Sequence, residues 1–168
     1  GRIKRKPIDT NGGLLPESFD GYNVIEANDI VLRLTDLQND HRSLRVGLAT
    51  ERGIITSAYT TMRPRNSESA KYLYYLLHTF DIRKGFYGMG SGVRQGLNYD
   101  EVKKLKLPLP TIVEQEAIAA YLDRETERID AIIAEAKASI EEYKAWKASI
   151  IYEVVTKGLN PNAEITDS

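Results

Sequence analysis

From Val113 to Lys157 the chain contains neither proline nor glycine, and Ala, Glu, Lys, Ile and Leu dominate. Such a stretch has one low-energy solution, a long helix. Its start is written into the residues before it. Leu107-Pro108-Leu109-Pro110 is extended, because each proline disfavours the α region at the residue before it. Thr111-Ile112-Val113-Glu114 then spells a capping box. Gly158 supplies a C-cap, and Pro161 lies beyond it. About 45 residues at the helical rise give a rod of roughly 65–70 Å. Apolar residues recur every seventh position at Leu122, Ile129, Ala136, Tyr143 and Ile150. A second row runs through Ile118, Ile133, Ile140 and Val154, broken by Lys147, and Ile132 and Trp146 widen it. The interleaved rows are the pattern of a coiled-coil seam, which a single helix cannot bury alone. Leu122, Ile129, Ile133, Ala136, Ile140, Tyr143, Ile150 and Val154 are therefore expected to pair with a second helix.

The residues before Pro110 read differently. Tyr22–Glu26 and Ile30–Leu34 are expected strands split by the turn formers Asn28-Asp29. Arg45–Ala49 and Gly53–Ser57 are expected to pair across a turn at Glu51-Arg52-Gly53, and Thr56–Met62 to be extended. Ser67 is expected to cap a helix through Ala70–Leu77, and Asn98 a short one over Tyr99–Leu105. The fold class is thus α+β: a mixed domain with a twisted β-sheet over 1–110, one long coiled-coil helix over 111–158, and a linker over 159–168.

Charge separates the same two parts. Residues 1–110 hold 17 Lys+Arg against 12 Asp+Glu, leaving +5, and residues 111–168 hold 6 against 12, leaving −6. Together they give the −1 of the whole chain. A basic domain suits a polyanionic partner, although an excess of this size also occurs without one. The absence of cysteine excludes a disulfide scaffold, a Cys-based zinc site and a cysteine nucleophile, and fits a cytoplasmic protein. No apolar run is long enough to span a membrane.

Enzyme motifs are weak or missing. Phe86-Tyr87-Gly88-Met89-Gly90 matches the F-x-G-x-G string of adenosylmethionine-dependent methyltransferases, but no buried strand precedes it and no Pro-Pro-Tyr follows. There is no P-loop. Glu101-Val102-Lys103 lacks the Pro-Asp that precedes the E-x-K of a nuclease. His41 and His78 match no metal spacing: His78 is expected at a helix end and His41 on the surface. Neither a catalytic site, a cofactor nor a metal is expected.

Two segments remain. Residues 33–45 form a polar loop rich in side chains that read base edges, with Arg for guanine, Asn and Gln for adenine, and Asp for cytosine. Residues 84–96 form a glycine-rich segment in which Lys84, Ser91, Arg94 and Gln95 could meet phosphates or bases. The expected DNA contacts are Arg33, Asn39, Arg42, Arg45, Arg63, Lys84, Ser91, Arg94 and Gln95. A polar, glycine-rich surface loop with no partner is the plainer alternative.

The passages Gly90-Ser91-Gly92-Val93-Arg94-Gln95-Gly96-Leu97, Leu107-Pro108-Leu109-Pro110, Glu114-Gln115-Glu116-Ala117-Ile118 and Tyr121-Leu122-Asp123 resemble the specificity (S) subunits of type I restriction-modification systems. The run from Ile129-Asp130 through Tyr152 to Pro161 is similar to the spacer helix of that family and its exit. The likeness is specific after Gly90 and weaker before it. It implies a target recognition domain that reads half of a split DNA site. It also implies a spacer helix that pairs with a second one, from the same subunit or a homodimer. Methylation and cleavage would belong to partner M and R subunits. Family domains carry further strands before the segment that begins here, so an internal or half-length piece is expected. The rival reading is a coiled-coil adaptor with no nucleic acid.

Overall fold

The computed structural model describes residue 3 and residues 18–65, 68–89 and 96–160. Five short strands, β1 (Asn23–Ile25), β2 (Ile30–Leu32), β3 (Val46–Leu48), β4 (Gly53–Ile55) and β5 (Thr60–Met62), are followed by the helices α1 (Ala70–Ile82), α2 (Tyr99–Val102) and α3 (Ile112–Lys157). A 3-10 helix, Gly85–Gly88, lies between α1 and α2. The fold is α+β, as expected.

The strands lie close to where the sequence puts them, but their pairing differs. One antiparallel sheet has the order β3-β2-β5, and β1 pairs with β4 in a separate two-stranded ribbon. The segments either side of Glu51-Arg52-Gly53 therefore do not form a hairpin. That turn carries the chain from one sheet to the other. The reason lies in β2, whose three residues are all buried. With a side-chain period of two, Ile30 and Leu32 face one way and Val31 the other. Ile30 and Leu32 join Leu34, Leu37, Val46, Leu77, Phe86, Leu97 and Val102 in the main core. Val31 joins Ile25 and Ala49 in a smaller one, packed against Ile55 and Tyr59. A strand that is apolar on both faces takes the central position, and β3 and β5 flank it.

The turn between β1 and β2 is fixed by polar groups. Asn28 adopts a left-handed backbone (φ 73°). Asp29 is fully buried, and its Oδ2 accepts the Glu26 amide at 2.8 Å.

Helix α1 packs on β3. Its N-cap is Ser69, whose Oγ accepts the Tyr72 amide at 3.3 Å, and not Ser67, which lies outside the described residues. The helix runs on to Ile82, so His78 sits inside it rather than at its end. Residue 85 must be glycine: a Cβ there would come within 2.4 Å of the Phe80 ring. That ring meets Phe86 edge-on at 4.9 Å. Phe86, the first residue of the F-x-G-x-G string, lies in the core. Asn98 caps α2 in a complete capping box with Glu101, and α2 ends at Val102, short of the expected Leu105.

The chain divides into two compact units, Gly1–Ala120 and Tyr121–Ser168. The first runs past Pro110 because the opening turns of α3 are anchored in it. Gln115 and Ala119 are buried. The Gln115 side chain accepts the Ser69 amide at 3.0 Å and donates to the Pro110 carbonyl at 2.9 Å. Tyr72 Oη donates to the Pro108 carbonyl at 2.9 Å. The extended Leu107–Pro110 passage is thereby tied to α1. The Glu114 amide reaches Thr111 Oγ1 at 3.4 Å, the expected start of the helix.

The second unit is helical to Lys157. Helix α3 has 46 residues in all, a length of about 69 Å. Gly158 follows in the left-handed conformation (φ 75°), and its amide bonds the Val154 carbonyl at 3.0 Å. None of the described helices is long and apolar enough to cross a membrane.

Candidate nucleic-acid interface

Residues 35–44 leave β2 and return to β3 without regular structure. Two apolar side chains, Leu34 and Leu37, sink into the core and pin the loop from below. Arg45 holds it from within. Its side chain is wholly buried. Nη1 donates to the Thr35 carbonyl at 2.8 Å, and Nη2 to the carbonyls of Asp36 (3.2 Å) and Asp40. The Arg45 amide donates to the buried carboxylate of Asp81 on α1 at 2.6 Å. Arg45 is therefore not a base contact in this structure. A guanidinium offers five donors in a rigid fork, and here its two Nη groups meet main-chain acceptors.

Tyr87, on the 3-10 helix, completes the support. Its hydroxyl donates to the Asp40 carbonyl at 3.0 Å and lies 3.4 Å from Arg45 Nε. The His41 ring stacks on the Tyr87 ring at 4.9 Å. His41 Nε2 lies 2.7 Å from the Gln38 carbonyl and must donate, since a carbonyl only accepts. Lys84, in a left-handed backbone (φ 62°), donates from Nζ to the His41 carbonyl and sits 4.9 Å from the centre of the Tyr87 ring. Sequence reading missed Tyr87 and Asp81 as members of this site and left His41 without a role. These side chains meet the loop across more than thirty residues of chain, and no local spacing signals that.

Asp40 closes the loop's second turn, accepting the amides of Arg42 (3.2 Å) and Ser43 (2.9 Å) on Oδ1. Hydrogen bonds from Ser43 hold its carboxyl well below the ordinary 3.8, with the Arg45 charge adding to them. Arg33 reaches Asp40 Oδ2 at 3.4 Å.

What the loop exposes is the other half of the site. Gln38, Asn39, His41, Arg42 and Ser43 all face solvent. Asn39 Nδ2 donates to Asp36 Oδ1 at 2.7 Å, which fixes which end of the amide is acceptor and which donor. An open groove beside it is lined by Thr35, Asp36, Asn39 and Gly96.

The remaining expected contacts are scattered. Arg63, at the end of β5, is exposed, but its fork is closed on Asp29, with Nε to Oδ1 at 2.7 Å and Nη2 to Oδ2 at 2.8 Å. That hydrogen bonding lowers the Asp29 pKa, against the opposing effect of burial. Ser91, Arg94 and Gln95 lie outside the described residues. Among the described residues no cluster of His, Asp and Glu could hold a metal ion.

The expected helix-pairing row is uncovered. Ile129, Ile133, Ile140, Tyr143, Ile150 and Val154 are between 41% and 66% exposed. Ala136 is exposed too, and Leu122 half-buried.

The molecule is thus an α+β domain that presents a framed polar loop, continued by a long helix with an uncovered apolar row. Residues 21–142 match the family described as type I restriction modification DNA specificity domain, and the chain belongs to that family. No curated protein matches it in sequence. Among solved structures it is similar to a chain from work on the complex assembly and conformational transition of the type I R-M system, with a TM-score of 0.67 and 20% identity. That likeness covers 81% of this chain and 32% of the other. It is also similar to the HsdS subunit from Thermoanaerobacter tengcongensis, with a TM-score of 0.47, 22% identity, and 64% and 24% covered. The chain therefore spans about a third or less of the length of these two structures.

Proposed function

We propose that this chain is a non-catalytic DNA-reading module. Its first unit docks on one half of a split duplex site, and its long helix pairs with a second such helix to hold another reader at a fixed distance. The family match over residues 21–142 carries the reading. A loop whose main chain is hydrogen-bonded by Arg45 and Tyr87, with exposed Gln38, Asn39 and Arg42, supports it, since base edges are read by such side chains. Asn39 and Arg42 are assigned to bases, and Arg33, Arg63 and Lys84 to phosphates, which position the domain without specifying sequence. Ser91, Arg94 and Gln95 are assigned to DNA on the strength of the sequence alone. The second helix comes from the same subunit or from a second copy. Methyltransferase and restriction subunits supply methylation and cleavage in the cytoplasm.

The test is methylation mapping. The parent gene is expressed with its methyltransferase partner, and host DNA is sequenced for N6-methyladenine. A new split motif that changes on replacing Asn39 and Arg42 establishes the assignment. An active, bound methyltransferase that leaves no new mark removes it in favour of an adaptor that pairs helices and reads nothing.

A further inference from the structure

The side chains that support residues 35–44 bind the loop by its main chain. Arg45 takes the carbonyls of Thr35, Asp36 and Asp40. Tyr87 takes Asp40 again. His41, stacked on Tyr87, takes Gln38, and Lys84 takes His41. Carbonyls are present whatever the side chain, so this frame is blind to residue identity along most of the loop. Gln38 and Arg42, by contrast, are exposed and make no side-chain hydrogen bond among the described residues, while Asn39 bonds Asp36 at the surface.

We propose that Arg45 and Tyr87 are positioning residues of the DNA-reading loop. They fix its backbone without touching DNA, so that Gln38, Asn39 and Arg42 are exchangeable letters on a constant frame. The inference rests on the DNA-reading function above and adds a division of labour to it. Affinity for every sequence depends on the frame, and the choice of sequence on the exposed three. The burial of Arg45 supports this division: a side chain with no exposed surface reaches no base, yet its donors all end on the loop or on Tyr87. A pre-ordered loop also loses less conformational entropy on binding, so loosening the frame weakens binding even where every contacting side chain is kept.

The experiment uses the full chain and two readouts, amide hydrogen exchange over residues 35–44 and selection from a pool of duplexes with a randomised core. Tyr87→Phe is the main variant, because it removes the hydroxyl while keeping the ring on which His41 stacks. It should speed exchange in the loop and lower affinity about fivefold, the size of one hydrogen bond, for matched and mismatched duplexes alike. Arg45→Lys should do more, since one ammonium cannot span the carbonyls that the fork reaches. Gln38→Ala, Asn39→Ala and Arg42→Ala should leave exchange unchanged and alter the enriched sequence. Wild-type chain that enriches no sequence sinks the DNA-reading function and this inference together. A wild type that selects a motif, with Tyr87→Phe moving neither readout, sinks this inference alone, as does loop exchange that rises in the Asn39 and Arg42 variants.

Discussion

In the loop of residues 35–44 the carbonyls of Thr35, Asp36, Gln38, Asp40 and His41 are held by side chains of the chain itself, and most of the side chains left facing water are polar. In the helix beyond Ala120 the main chain satisfies itself by being helical, and the side chains left over are apolar. The first region offers hydrogen-bonding side chains to a ligand that competes with water. The second presents an exposed apolar row, the kind of surface that marks an interaction site. Two kinds of partner follow from one physical rule: exposed hydrogen-bonding groups suit a polar, hydrated surface such as a duplex, and exposed isoleucines suit another helix.

Charge on the apolar row should break the second region and leave the first intact. Ile140→Asp places a carboxylate where a paired helix would bury it, and an unpaired buried charge costs several kcal/mol. Association of the full chain should weaken by about 100-fold or more. Sedimentation equilibrium at tens of micromolar checks this. A wild-type chain that is already monomeric there removes self-pairing and leaves a second helix of the same subunit as the partner.

The converse variant is Asp29→Ala. Asp29 has no exposed surface and holds both the Arg63 fork and the Glu26 amide. Its loss leaves an amide without its partner and opens the turn into β2, at about 2–3 kcal/mol. Denaturant unfolding should show that loss, while association through the helix stays unchanged. A midpoint that does not move would mean that the turn is held by its apolar flanks alone.

The helix was legible almost residue by residue, because capping, periodicity and termination are local signals: Thr111, the sevenfold row and Gly158 all lie within a turn or two of what they control. Strand positions were legible for the same reason, from β-branched runs between turn formers. Strand partners were not. Nothing in Arg45–Ala49 says that it prefers Ile30–Leu32 to Gly53–Ile55, and the answer depends on which strand must be covered on both faces. The loop was found by its composition, but Arg45 was read as a base contact. An arginine in a polar run looks the same whether it points out or in. What holds it inward is the Tyr87 phenol and the carbonyls of Thr35, Asp36 and Asp40, while Asp81, from a distant part of the chain, takes the Arg45 amide. His78 was misplaced by a shorter error, a helix expected to end before it actually does.

That misplaced histidine sharpens the comparison by pH. His78 stacks on Tyr74 at 5.6 Å, and its Nδ1 is buried without a hydrogen-bond partner among the described residues. Burial lowers its pKa below the ordinary 6.5, while Asp81 pulls the other way. As pH falls through 6.5 the unfolded chain takes up the proton first. Stability is therefore full above that value and declines as pH drops towards the lowered one. Asp29 and Asp40, both lowered, act in the same direction, but only below their ordinary 3.8. Acidification below pH 6.5 should thus destabilise the first unit. His78→Phe, which keeps a ring against Tyr74, should flatten the dependence, and an equal slope in both proteins would assign it elsewhere.

The smallest effect belongs to the far end of the helix. Gly158 takes a φ of 75°, and a Cβ there would meet no other atom. Gly158→Ala is therefore a change of backbone strain alone, about 1 kcal/mol, with no loss of packing. In an isolated helix that strain should appear as fraying of the last turn, where Val154 supplies both the capped carbonyl and a member of the apolar row. In a paired helix the partner holds Val154 in place, and the same substitution should lower the association constant instead. Circular dichroism below and above the association midpoint separates the two. Fraying that vanishes on association means the seam runs to the end of the helix. Fraying that persists means that it stops short of Val154, and that the pairing row is the shorter one from Leu122 to Ile150.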